Sequence, residues 1–285
     1  MKYSYISDKK QLAGFLGTLQ RNKTQAVCMD FEGEFNLHCY GEKLCLIQVF
    51  DGQASYVIDP FRIEKTELVK LFTSSVVKLF YSAGSDRKLV FRQYGARIKS
   101  LLDISDLVDV LGMRHSSLDA LLEEMLSVKV EKKKSYQRFN WTTRPLPEEA
   151  IQYALSDVRY LFDLKDVLLK KTKEKDLVES LVYRLTRSDF DYEKKSMPGV
   201  KKKTRYLKLS PEEKKVFDNI FSIREDFAKK LDKPPNSVIS NEQVFQIAEH
   251  MLEIDSIKFN QAVPVPYRKK LIHEISAALS SNAPE

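Results

Sequence analysis

Residues 26–35 read AVCMDFEGEF, an apolar entry that runs into three carboxylates, Asp30, Glu32 and Glu34. An apolar run of this length bounded by polar residues predicts a strand, buried where it begins and polar where it ends. Side chains alternate faces along a strand, so Asp30 and Glu32 project from one side and can share one cation. Glu34 keeps the same parity, and Glu32 is preferred for its spacing from Asp30. Outward from this segment lie KLCLIQVF (43–50) and ASYVIDP (54–60), two further apolar runs separated by the turn signal Asp51-Gly52-Gln53. The three predict an antiparallel start to a sheet, with the carboxylates near one end of its first strand.

The period then changes. TELVKLFTS and DRKLVFRQYG have helical spacing, with VVKLFYSA between them as a buried strand, so the order becomes β-α-β-α. SDLVDVLGM and SLDALLEEML predict two more helices after Asp103, and EKKKSYQRFNWTTRPLP reads as a polar and aromatic loop. A helix is predicted from Pro147 to about Lys175, since proline with Glu148 and Glu149 makes a favourable first turn. Residues 188–208, SDFDYEKKSMPGVKKKTRYLK, lack an apolar stripe and read as a linker. Beyond it, Ser210-Pro211-Glu212-Glu213 opens a helix sustained through Val216, Ile220, Ile223 and Phe227, and helical segments near 241–252 and 267–279 complete an all-helical module. The expected organisation is a domain over 1–187, a linker over 188–208 and a helical domain over 209–285.

Composition agrees with two folded units in 285 residues, with 43% hydrophobic and 31% charged residues. A formal charge of +7 and a pI near 9.0 tilt the chain toward anionic partners without choosing among RNA, DNA and an anionic membrane. No window offers the roughly 18 apolar residues of a membrane span. The N-terminal MKYSYISDKKQL lacks the apolar stretch of a secretory leader, so a cytoplasmic location is expected. Cys28, Cys39 and Cys45 are spaced unlike zinc ligands and read as reduced thiols in or near strands.

Two more carboxylates fall where strands and helices could bring them close: Asp86 at the head of DRKLVFRQYG, and Asp157 within EEAIQYALSDVRYLFDL. Tyr153 precedes Asp157 by one helical turn, so phenol and carboxylate share a face. Four carboxylates around one cleft repel one another unless cations neutralise them, and hard oxygen donors favour Mg²⁺ or Mn²⁺. Two such ions can activate water and stabilise a leaving 3′-oxygen, with the tyrosine orienting the water. Each acidic residue alone would read as a solvated or capping group; their order and spacing decide.

That order, Asp30-x-Glu32, then Asp86, then Tyr153-x-x-x-Asp157, resembles the tyrosine-containing branch of the DEDD exonucleases. The stretches DFEGEF, LCLIQVFDG, VIDP, AGSDRKLVFRQYG, LLDISDLVDVLG, KSYQRFNWTTRPL and YALSDVRYL extend the resemblance to the ribonuclease D family over most of the chain. The resemblance implies an α/β fold with an RNase H-like mixed sheet and two divalent ions held by Asp30, Glu32, Asp86 and Asp157. It also implies removal of nucleotides from RNA 3′ ends, tRNA precursors above all. The loop before Asp86 is about one residue shorter than the family's. Lys134, Arg138 and Arg144 match a segment that the family places near the cleft, where cations meet phosphate and aromatics meet bases. Trp141 and Pro145 are expected in the core. Asp103 reads as a helix N-cap, with support of the site as its competing role. His38 and His115 lack a partnered motif and stay outside the mechanism.

FSIREDFAKKLDKPPNSVISNEQVFQIAE resembles an HRDC module, which implies auxiliary nucleic-acid contacts at Lys229, Lys230 and Lys233; a solvated helix end is the competing reading. The partner implied is RNA, with no membrane and no obligate protein partner. DNA as substrate, and a non-catalytic RNA-binding protein on the same scaffold, are the alternatives.

Overall fold

A computed structural model describes residues 1–114, 117–130, 134–187, 190–193 and 197–280, with backbone only at 134 and 135. The chain divides into two compact units, Met1–Gly33 with Lys43–Glu193, and Glu34–Glu42 with Lys194–Glu285.

The first unit begins β1 (Tyr3–Ile6), α1 (Lys9–Arg21), β2 (Ala26–Phe35), β3 (Glu42–Phe50), β4 (Ser55–Ile58), α2 (Lys65–Thr73), β5 (Val77–Phe80), α3 (Gly84–Tyr94) and β6 (Leu101–Asp103). Helices α4 (Ser105–Val110), α5 (Leu118–Leu126), α6 (Glu148–Arg159), α7 (Leu161–Glu174) and α8 (Val178–Thr186) follow. Sheet order is β1-β4-β3-β2-β5-β6. β1 runs parallel to β4, β3 antiparallel to β4, and β5 parallel to both β2 and β6, which makes the sheet mixed. Its two faces follow from strand alternation. Val27, Met29, Phe31, Ile47 and Val49 share one core with Leu12 and Phe15 of α1 and Leu68 and Phe72 of α2. Cys28, Leu46 and Phe50 face the opposite way, toward α6 and α7. All three cysteines are buried thiols, none of them in a disulfide.

The single helix expected from Pro147 to Lys175 is two. Tyr160, at φ −108° and ψ 7°, leaves helical geometry between α6 and α7. α6 packs Ala150, Ile151, Ala154 and Leu155 against Leu46 and Val57, whereas α7 turns Leu161, Leu164 and Leu168 toward α4 and α5. One straight rod would not track both regions of a twisted sheet.

Lys78 of β5 is buried, and its ammonium donates to the carbonyls of Ser74, Val76 and Lys99, using all three of its protons. It thereby satisfies the C-terminal end of α2, where positive charge is favoured. Burial pulls its pKa down from 10.5 to about 8. Between pH 8 and 10 the folded chain therefore sheds a proton that the unfolded chain keeps, so stability rises with pH across that window. Denaturant titrations at pH 7, 8.5 and 9.5 are expected to show a gain on the order of 1–3 kcal/mol, absent in Lys78→Met; a rise that persists in the variant would refute this account.

The second unit comprises α9 (Thr204–Lys208), α10 (Pro211–Leu231), α11 (Pro235–Val238), α12 (Asn241–Ala248) and α13 (Val265–Ser280). Ser210 and Glu213 form the reciprocal cap that opens α10. Phe217, Ile220, Phe227, Val244, Phe245, Leu271 and Ile275 make its core. Val200 and Tyr206, within the segment read as linker, join that core, with Tyr206 donating to Asp218, so 199–208 is folded structure built on few apolar residues. The hairpin loop between β2 and β3 belongs to this unit as well. Tyr40 packs on the same core, and its backbone N–H donates to Asp232. Among the described residues no helix is long and apolar enough to cross a membrane.

Candidate active site

Asp30 and Glu32 leave β2 on the face that α6 covers, between the buried Met29 and Phe31 of the other face. Asp157, on the third turn of α6, meets them: one carboxylate oxygen from each of the three lies within 4.8 Å of the others. At such a separation each ionised pair costs on the order of 3–4 kcal/mol at an effective dielectric near 20. The group is half-buried and offers three carboxylate oxygens, a donor set that fits a hard divalent cation.

Glu34 is settled differently from Glu32. It is 2% exposed, and its carboxylate accepts from the backbone N–H groups of Leu37 and His38 and pairs with His38 Nδ1 at 2.9 Å. These contacts build the hairpin loop and take Glu34 out of the candidate ligands. His38 is thus a loop-fixing residue; His115 lies outside the described residues.

Asp86 sits in the first turn of α3 and is not one of the three clustered carboxylates. Burial, with the charge of Asp103 beside it, pushes its pKa up to about 7. Asp103 accepts from Ser82 N, Ala83 N, Ser105 N and Ser105 Oγ, at 2.7–3.0 Å. The N-cap position of α4 is Ile104, so the N-cap reading of Asp103 gives way to a latch between β6 and the turn before α3. That turn needs one, because Ser82 adopts a positive φ of 59°.

Sequence reasoning missed the outer wall of α3. Arg87 lies 3.8 Å over the Phe190 ring, and its guanidinium donates to the Tyr192 hydroxyl. Both aromatics come from the stretch read as linker. The pairing of Arg87 with Tyr192 spans 105 residues and leaves no local pattern.

Tyr153 is held in an aromatic group, its ring centroid 5.5 Å from that of Tyr136 and 6.3 Å from that of Trp141. Tyr136 also donates to Glu149 in the first turn of α6, which ties the loop to the helix that carries Asp157. Trp141 is buried, as expected, whereas Pro145 is exposed at the mouth of a cleft of about 540 Å³.

Arg144 overturns its expected contact with RNA. Its Nε and Nη2 grip Asp59 at 2.7 and 2.9 Å. Nη2 also donates to the Cys45 carbonyl, and Nη1 to those of Trp141 and Thr143. Five bonds use all five donors of a guanidinium, so none is left for phosphate. Although burial opposes it, the Arg144 and Tyr5 hydrogen bonds hold Asp59 below the usual carboxylate range, while burial and Asp59 push the Tyr5 phenol up to about 12. Tyr5, Asp59 and Arg144 all line the cleft, and this network binds the three to one another.

Arg138 is exposed at the end of a short 3₁₀ turn over Lys134–Arg138; the side chain of Lys134 lies outside the described residues. Lys229 and Lys230 project from the last turn of α10, Lys230 with its Nζ 5.2 Å from the Phe227 ring, and Lys233 follows just beyond the left-handed Asp232. Cations at a helix C-terminus are favourable in themselves.

Comparison with known proteins adds to this geometry. A family model described as 3′-5′ exonuclease matches residues 3–173. Human exosome complex component 10 is 26% identical over 249 residues, 82% of this chain and 28% of that protein. Ribonuclease D from Shewanella sp. (strain ANA-3) is 30% identical over 178 residues, 61% of this chain and 44% of that one. The chain therefore matches less than half the length of either relative. Among solved structures, the catalytic core of RRP6 from Trypanosoma brucei aligns over 99% of this chain and 81% of its own, with a TM-score of 0.77 and 22% identity. Escherichia coli RNase D aligns over 100% of this chain and 78% of its own, with a TM-score of 0.72 and 22% identity. At that identity the two likenesses establish the fold.

Proposed function

Since this chain belongs to the 3′-5′ exonuclease family, we propose that it is a two-metal-ion exoribonuclease that releases 5′-mononucleotides from RNA 3′ ends, with tRNA precursors as substrates. The observation that carries the reading is the convergence of Asp30, Glu32 and Asp157, from a strand and a distant helix, within 4.8 Å. The likeness to ribonuclease D and to an exosome component supports RNA over DNA.

In this reading Asp30, Glu32 and Asp157 hold Mg²⁺ or Mn²⁺. Bound ions supply Lewis-acid charge that activates water and stabilises the leaving 3′-oxygen. Asp86 is the fourth carboxylate, at the head of α3, and cation charge nearby favours its ionised form. Tyr153, one turn before Asp157 and fixed by its aromatic neighbours, orients the attacking water with its hydroxyl. Lys134 and Arg138 meet the RNA backbone, and Lys229, Lys230 and Lys233 of an HRDC-like module spanning 209–285 provide a second, sequence-independent hold. The catalytic unit is the compact one formed by 1–33 with 43–193, and the protein works in the cytoplasm.

The purified chain is expected to shorten a 3′-extended tRNA stepwise in Mg²⁺ or Mn²⁺, giving 5′-mononucleotides, and to be silent in EDTA. A matched DNA strand is expected to be degraded more slowly. No product with either ion would reject the nuclease reading, and a clear preference for DNA would reject the substrate.

A further inference from the structure

Gln48 lies in β3, is 0% exposed, and neither its Oε1 nor its Nε2 has a hydrogen-bond partner among the described residues. An amide buried in this way forfeits the hydrogen bonds it made in water, and native structures keep such a group for a reason, commonly a bound water, an ion or a catalytic role.

Its surroundings supply that reason. Leu46 and Phe50, two residues to either side, share its face of the sheet. Leu46 shares a core with Ala154 and Leu155 of α6, Phe50 shares one with Val158, and the Arg159 guanidinium lies 4.7 Å over the Phe50 ring, so the strand face that carries Gln48 is turned to the C-terminal half of α6, where Asp157 sits. On the neighbouring strand, Cys28 packs in the same core as Phe50, which puts Asp30, two residues on, on that face too. The hairpin joining β2 and β3 is closed by Asn36 N–H donating to the Gly41 carbonyl. Counting back from that bond sets Gln48 opposite Met29, and the break in alternation that leaves Leu44 in the core of Ile47 and Val49, with Cys45 and Leu46 both in the other, adds one residue to β3 and moves Gln48 opposite Asp30.

We propose that Gln48 is a positioning residue of the carboxylate centre, its amide holding the Asp30 and Asp157 carboxylates in their cation-binding orientation through one buried water. The proposal rests on the reading of that centre as a divalent-ion site. The water accepts from Nε2–H and donates to carboxylate oxygen, which gives it the two or more polar partners that a buried water needs. A carboxamide suits the position because it is polar yet neutral: a carboxylate would add to the anionic charge, and an ammonium would cancel the charge that attracts the ion. Outer partners of this kind orient ligands, and their loss weakens ion binding.

Gln48→Met removes the amide on an unbranched chain of similar length, and Gln48→Leu removes it with a shorter, branched one. Each variant, carried in the whole 285-residue chain, is expected to fold and to melt in EDTA within about 5 °C of wild type, because an apolar side chain suits a fully buried position and only a water-mediated bond is lost. Direct calorimetric titration with Mn²⁺ is expected to show binding about 10-fold weaker than wild type. Unchanged Mn²⁺ affinity in either folded variant overturns the proposal and leaves the ion site standing. A wild-type chain that binds no Mn²⁺ removes the reading beneath it and the proposal as well.

Discussion

Asp157→Asn is expected to abolish turnover while leaving the fold intact or stiffer. The substitution keeps the shape of a side chain at the meeting point of three carboxylates and removes its charge. Ions at such a centre supply several kcal/mol of charge stabilisation in the transition state, and each 1.36 kcal/mol is a factor of ten, so the loss is on the order of 10³-fold or more. The same change relieves repulsion with Asp30 and Glu32 when no cation is bound. In EDTA the variant is therefore expected to melt no lower than wild type, and the stabilisation that added Mg²⁺ gives wild type, by mass action, shrinks in it. Single-turnover cleavage of labelled RNA alongside melting curves with and without Mg²⁺ reads both effects. Turnover within tenfold of wild type would remove Asp157 from the machinery.

The second large effect is one of stability. Arg144→Ala is expected to cost about 3–5 kcal/mol, the range for breaking a buried ion pair by deleting one partner. Asp59, whose side chain is 1% exposed, would keep its charge without its cation, and the carbonyls of Cys45, Trp141 and Thr143 would lose their donor. Arg144→Lys is expected to recover little, since an ammonium cannot fork onto a carboxylate and reach three carbonyls as well. Denaturant unfolding measures the loss. A variant as stable as wild type whose only defect is weaker RNA binding would restore the contact with RNA that the structure argues against.

The carboxylate centre was legible where its geometry is local. Alternation along a strand places Asp30 with Glu32, and one helical turn places Tyr153 with Asp157. The meeting of strand and helix followed only from family likeness. What stayed hidden depends on partners far along the chain: Asp59 and Arg144 lie 85 residues apart, and Asp103 engages Ser82 across 21. Glu34 shows the limit most plainly. Its parity is the same as that of Glu32, yet its carboxylate is taken up by hydrogen bonds inside the hairpin loop, which no periodicity reports. Residues 190–192 and 199–208 looked like linker because they hold few apolar residues; aromatic rings set singly against Arg87 and Phe217 were enough to fold them.

The hairpin that follows the catalytic strand has a bearing on how the polypeptide is assembled in time. Tyr40 leaves the ribosome 192 residues ahead of Asp232, to which its backbone bonds. The helical unit is thus discontinuous along the chain and stays unfinished until the segment from Lys194 onward has been made. A truncation after residue 193 would yield the strand of Asp30 and Glu32 ending in a loop deprived of its seat, so trimming the C-terminal helices is a cut into the hairpin beside the carboxylates as well.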